Sequence, residues 1–327
     1  MILRRILLAC ALWLAAQGGA SAQTLRFLAA YADGASAPVA AGLVEIANES
    51  TRGMTWSFDR VPNSAEGLTR LGAGEAEFAL VNGHSAYQFY AGAGPYEGAA
   101  RRDLRSVAAL FPYATHVLVR RALAPDGTLD ELRNLKGMFN IGRRRSDAYV
   151  AAEDLFAALG LAPVGGGFTF DPEPEAVEAL VRGNVDGMLA AGVVPAAAAS
   201  QALLRLRSDR LVLLGLDEEA QGRLDRRLPG VWFPVTVGPE TYRALDRSVD
   251  VPAVTLAVVT RANVPDAAVS VMLDAVFGEQ ALLRMIHPAA ESISFSTAQR
   301  GLAAPLHPAA AGYYAAAGVP VSERLRP

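Results

Sequence analysis

Residues 68–85 read Leu68-Thr69-Arg70-Leu71-Gly72-Ala73-Gly74-Glu75-Ala76-Glu77-Phe78-Ala79-Leu80-Val81-Asn82-Gly83-His84-Ser85. Leu68 and Leu71 share one helical face, and Gly72 and Gly74 stop the helix. Phe78 to Val81 is an apolar run of strand length. Asn82-Gly83-His84-Ser85 then opens another helix, which carries Tyr87 and Tyr90. Helix, buried strand, helix is the repeating unit of a mainly parallel sheet covered by helices.

The same alternation extends in both directions. Upstream, Leu25 to Ala30 reads as a strand and Ala32 to Ser36 as a small-residue loop. Ser36 can cap a helix whose first turn tolerates Pro38, with Val39, Leu43 and Ile46 on one face. Thr55 to Phe58 is a second strand, and Asn63 or Ser64 opens the Leu68 helix. Downstream, a Gly-rich loop runs from Gly92 to Gly98. Leu104 to Pro112 and His116 to Arg120 read as two strands, the latter rich in β-branched residues.

A second half-pattern begins near Leu129. Met138 to Gly142 is a strand, Arg143-Arg144-Arg145-Ser146 a loop, and Ser146 or Asp147 the cap of a helix closed by Gly160. Glu173 to Val181 is helical, Asp186 to Ala190 a strand and Pro195 to Leu206 a helix. Val254 to Thr260 is a strand and Asp266 to Phe277 a helix. The length, 327 residues, suggests two domains or lobes. No low-complexity linker separates them, so His116–Arg120 and Val254–Thr260 are the expected crossover strands.

Composition narrows the function. With 52% hydrophobic and 19% charged residues, the chain carries enough apolar surface to fold. A net charge of −3 argues against nucleic acid as a partner, because that binding needs a basic surface. Arg4 and Arg5, the apolar stretch Ile6 to Ala16, and Ala20-Ser21-Ala22 read as an export signal spanning residues 1–22, cleaved before Gln23. The single cysteine, Cys10, leaves with it, so the mature chain holds no disulfide and no thiolate chemistry.

Catalytic signatures are missing. The lone lysine, Lys136, sits in no phosphate-binding loop, and no G-x-S-x-G elbow exists. His84, His116, His287 and His307 form no metal-ligand spacing, so neither a metal nor a cofactor is expected. Three loops do follow strands and open helices: Asp33–Ser36, Asn82–Ser85 and Gly142–Ser146. Helix N-termini present unpaired N–H groups and a partial positive charge, suited to a carboxylate. One arginine of the 143–145 triplet can fork onto that carboxylate; a solvated basic loop or a contact to a membrane partner is the alternative. His84 either hydrogen-bonds a ligand, with a charge that varies between pH 5 and 8, or serves structure. Tyr87 either offers its hydroxyl or packs, and Trp232 and Phe233 either line a cleft or fill the core.

Four segments carry a family resemblance. They are Leu68 to Val81 with Tyr87; Leu135-Lys136-Gly137 through Gly142 and Ser146; Asp186 to Pro195; and Pro305-Leu306-His307-Pro308 through Tyr313-Tyr314 to Gly318. Together they resemble the TAXI proteins, extracytoplasmic solute receptors associated with TRAP permeases. The resemblance implies a two-lobed α/β periplasmic binding protein, type II-like. Each lobe would be a mixed, mainly parallel sheet flanked by helices. Residues 23–116 with 258–327 would form one lobe and 117–257 the other. The implied function is to capture a small organic anion or amino acid in the interlobe cleft, without catalysis, and deliver it to a TRAP membrane permease. The receptor is expected to be a periplasmic monomer. The expected ligand contacts are Ser36, Ser64, Asn82, His84, Tyr87, Arg143 and Ser146. The chain departs from the family pattern at Asp33–Pro38, Gly67, Asn82–His84 and Arg145–Ala148. Those departures leave open a ligand sensor for a membrane signalling partner.

Overall fold

The computed structural model describes residues 24–30, 34–50, 53–161 and 167–327. The expected export signal and Asp33 lie outside the described residues. Strands β1 (Thr24–Ala30), β2 (Thr55–Val61) and β3 (Phe78–Asn82) are parallel, in the order β2-β1-β3. Phe27, Leu28 and Ala29 are all fully buried, because helices cover both faces of this wing. Helix α1 (Ser36–Glu49) turns Val39, Leu43 and Ile46 inward and packs on β1 and β2. It starts one residue earlier than expected. Ala35 holds the cap position with no side-chain bond, and Ser36 lies in the first turn. Helix α2 (Ser64–Ala73) packs on β3, is capped by Asn63 Oδ1 accepting from Glu66 N at 2.9 Å, and ends at Gly74 with φ 83°.

The two strands expected at 104–112 and 116–120 are one. Strand β4 (Leu104–Arg120) runs unbroken for 17 residues. Pro112 interrupts the sequence pattern but not the strand, where it lies opposite Thr255. Helix α3 (Gly83–Ala91) precedes β4. A second wing follows: β5 (Phe139–Asn140), β6 (Phe168–Thr169) and β7 (Gly187–Gly192) are parallel, in the order β7-β5-β6. Its helices are α4 (Asp147–Ala158), α5 (Glu173–Arg182), α6 (Ala197–Arg210) and α7 (Glu218–Arg227). Short strands β8 (Leu211–Leu213) and β9 (Phe233–Val237) lead to β10 (Val249–Arg261).

Strands β4 and β10 join the wings. They pair antiparallel from Ala253↔Ala114 to Arg261↔Leu104. Beyond Ala114, β4 leaves β10 and pairs with β7 and β8. Strand β10 pairs with β9 through Ala253, then with β3 from Leu256. The fold is thus a mixed α/β sheet with parallel wings, an antiparallel centre and helices on its faces. Among the described residues, no helix is long and apolar enough to cross a membrane.

The C-terminal segment docks onto β4. Ser106 bridges to Leu306, and His307 N donates to Ser106 O at 2.9 Å. His307 then caps α10 (Pro308–Ala316), with Pro308 at the first helical position, where no N–H is needed. Between β10 and α10 lie α8 (Asp266–Gly278), against α1 and α10, and α9 (Gln280–Ile286). Tyr314 is fully buried, and its hydroxyl donates to Val107 O at 2.9 Å. The distinctive tail sequence is therefore an anchor. Tyr314→Phe should cost about 1 kcal/mol for the lost hydrogen bond. Tyr314→Ala should cost about 3–5 kcal/mol for the emptied volume. Urea titration measures both; equal losses would show that the ring contributes nothing.

Candidate functional site

A cavity of about 480 Å³ opens between the wings. Tyr113 of β4 and Ala191 of β7 line it, with Pro62 and Asn63 from the first wing. The loop 142–148 and the turn Pro172–Pro174 come from the second. These segments follow the carboxyl ends of β2, β5 and β6 and lead into the first turns of α2, α4 and α5, the usual place for a ligand in an open α/β sheet.

Local chemistry builds the loop 142–148. Gly142 has φ 81°, and an added Cβ would approach Ala148 Cβ to 3.2 Å, so only glycine suits the turn. Its N–H donates to Asn140 Oδ1 at 2.9 Å. Arg145 takes a left-handed φ of 66°, a strained choice for a residue with a side chain. Its carbonyl accepts from Asn63 Nδ2 at 3.0 Å. Ser146 caps α4, its Oγ accepting from Tyr149 N at 3.1 Å.

The three arginines differ. The Arg144 guanidinium lies 3.5 Å from the centre of the Phe170 ring, a cation–π contact that commits it. Arg143 and Arg145 make no ion pair among the described residues, although all three line the cavity. Opposite them in charge is Glu173, the first residue of α5. It accepts from Ala191 N at 3.1 Å, and burial pushes its carboxyl above the usual range. The cavity thus holds two guanidinium groups outside any ion pair among the described residues, and a carboxyl held by Ala191 N, within one space.

Of the residues expected to contact ligand, Arg143 and Ser146 line this cavity. Ser64 lies beside Asn63 but is 1% exposed. Its Oγ donates to Asp147 Oδ2 and accepts from Asn82 N, each at 3.1 Å. Asn82 is fully buried; its Oδ1 caps α3 through Ser85 N at 3.0 Å, and its Nδ2 has no partner among the described residues. Tyr87 faces a different cavity, of about 410 Å³, shared with Gln88, Asp154 and Arg227. Ser36 is buried at the start of α1. Trp232 and Phe233 are both buried.

His84 departs from expectation. It is fully buried and stacked on Trp232, ring centres 6.1 Å apart. Burial lowers its pKa to about 3, so its charge does not vary between pH 5 and 8. Sequence reasoning missed Tyr113 and Glu173 and read Asn63 and Asp147 only as helix caps. Nothing local marks them, since the cavity assembles from distant segments.

A second contact joins the wings. Asp154 of α4 accepts from Gln88 Nε2 of α3 at 2.8 Å and from Arg227 Nε of α7 at 3.2 Å. Burial outweighs both partners and raises its pKa to about 6.

The two groups bias stability oppositely. Folded His84 refuses a proton that the unfolded chain accepts below pH 6.5, so its contribution is lost as pH falls through 6.5 toward 3. In His84→Phe that slope should shrink, by at most about 1.4 kcal/mol per pH unit. Folded Asp154 holds its proton up to about pH 6, while the unfolded group releases it near 3.8. Its contribution is therefore present at low pH and lost as pH rises through 6. Asp154→Asn should make stability rise more steeply between pH 4 and 6. Urea titrations across pH 4–7 test both; unchanged slopes would contradict the burial of these groups.

None of the curated proteins matches this chain. Among solved structures, the chain is similar to the ligand-binding component of an ABC-type import system from Staphylococcus aureus. Identity is 11%, coverage 89% of each chain and TM-score 0.47. It is also similar to the binding-protein component of an ABC phosphonate transporter from Pseudomonas aeruginosa, with 14% identity, 84% and 81% coverage and TM-score 0.47. MatC of Rhodopseudomonas palustris, solved with bound malate, shows 17% identity, 83% and 89% coverage and TM-score 0.47. The family model matches residues 27–318, from β1 to the end of the C-terminal anchor, and the chain belongs to the NMT1-like family.

Proposed function

We propose that this chain is an extracytoplasmic solute receptor of the TAXI type. It takes a small organic anion or amino acid into the cleft between the wings and presents it to a TRAP-type permease. The observation that carries this reading is the 480 Å³ cavity, with walls from both wings and with three arginines and the half-buried Glu173 carboxyl among its lining residues. The export signal and the TAXI-like segments support it.

Each group has a defined task in this reading. Arg143 forks onto the ligand carboxylate with two parallel hydrogen bonds. The start of α4 adds its partial positive charge, and Ser146 holds that start in place. Glu173 orients an ammonium or hydroxyl at the other side of the cavity. Closure swings one wing toward the other about β4 and β10, and it needs a ligand that binds the closed form more tightly than the open one. Binding, rather than turnover, is the activity.

Thermal-shift screening of the purified protein against amino acids and mono- and dicarboxylates tests the reading, because a ligand of the native state raises apparent stability. A hit confirmed by calorimetry is the expected result. Folded protein with no hit across the panel would turn the reading toward a signalling subunit. Arg143→Met should weaken the hit roughly 10- to 100-fold, the worth of a charged hydrogen-bond pair. An unchanged affinity would remove Arg143 from the site.

A further inference from the structure

Three hydrogen bonds join the wings at the mouth of the cleft, and all run between the start of α2 and the entry to α4. Asn63 Nδ2 donates to Arg145 O at 3.0 Å. Ser64 N and Ser64 Oγ donate to the two carboxylate oxygens of Asp147, Oδ1 and Oδ2, each at 3.1 Å. The two residues are 83 positions apart and belong to different wings. Ser64 N is the first N–H of α2, one of the donors a helix leaves unpaired. Ser64 Oγ is held in place from behind by Asn82 N at 3.1 Å. Asn82 also carries a buried Nδ2 with no partner among the described residues.

This is how a bound acid would be held: two oxygens, one backbone N–H, one hydroxyl and the positive end of a helix. The acid here belongs to the protein. We propose that Asp147 is a built-in occupant of the first wing's acid-binding position. Its carboxylate ties the wings together without solute, and it bars a solute carboxylate from that position. The proposal rests on reading the cleft as a solute site. It narrows that reading to ligands with a single acid group, placed at Arg143. A second carboxylate would meet Asp147 and have to displace it, giving up both Ser64 bonds. The strained Arg145, whose carbonyl takes the third bond, belongs to the same closure.

Chemical rescue tests this without knowledge of the ligand. Amide hydrogen exchange is followed by mass spectrometry in the full chain, wild type and Asp147→Gly, with and without 100 mM formate. The expected result is at least tenfold faster exchange across residues 62–68 in Asp147→Gly, with β1 unchanged. Formate, a free carboxylate, should restore the protection in the variant and leave the wild type unaltered. Unchanged exchange in Asp147→Gly would overturn the proposal. Faster exchange that formate does not restore would also overturn it, because Asp147 would then be a tether and not the occupant of an acid position. If Asp147→Gly does not fold, Asp147→Ser carries the same test. No outcome depends on a cleft ligand, so failure of the solute-receptor reading would show separately, as an empty thermal-shift screen.

Discussion

Strands β4 and β10 run antiparallel through the middle of the sheet, and every other strand reaches the rest of the molecule through one of them. The first wing hangs on β10 through β3, and the second hangs on β4 through β7. Each of the two strands changes partners near the same level, at Ala114 and between Ala253 and Leu256. That exchange opens the sheet into two wings, and the cavity sits at the opening, with Tyr113 among its lining residues. Ala114 and Ala253 at the exchange, and Ala108, Ala109 and Ala257 further along the pair, are all buried.

What could be read from the sequence was local. Asn63, Leu68, Leu71 and Gly74 fix α2 within a dozen positions, because capping, periodicity and a left-handed stop act over one or two turns. Strand β4 was read as two because Pro112 looks like a break; pairing with β10 and β7 overrides that preference. Strand β8, three residues long, carries no usable period. Helix α7 buries only Ala220 and Leu224, too few to mark a face. The site was harder still. Ser146 was legible as a cap, yet the partners of Ser64 and Asp154 lie 83 and 66 positions away, and no local pattern encodes them. The neutrality of His84 follows from burial against Trp232, which is a property of the packed state.

The electrostatics of the cleft are divided rather than uniform. Arg144 stacks on Phe170, Arg145 contributes its carbonyl to Asn63, and Arg143 lines the cavity. Carboxyl groups stand at three points: Glu173 in the cavity, Asp147 at the mouth, and Asp154 behind it. In the proposed reading, such an arrangement would discriminate by shape and position of charge, since an entering anion would have to avoid the carboxyls while reaching the guanidinium.

The order of strands also sets an order in time. Strand β3 has β1 on one side, but its other neighbour is β10, residues 249–261, from the last quarter of the chain. During synthesis the first wing therefore carries an open sheet edge until residue 261 of 327 has been made. An unpaired edge is a template for wrong pairing, and contacts so distant in sequence form slowly. The first wing cannot complete itself until β10 has emerged, so its closure couples the first quarter of the chain to the last.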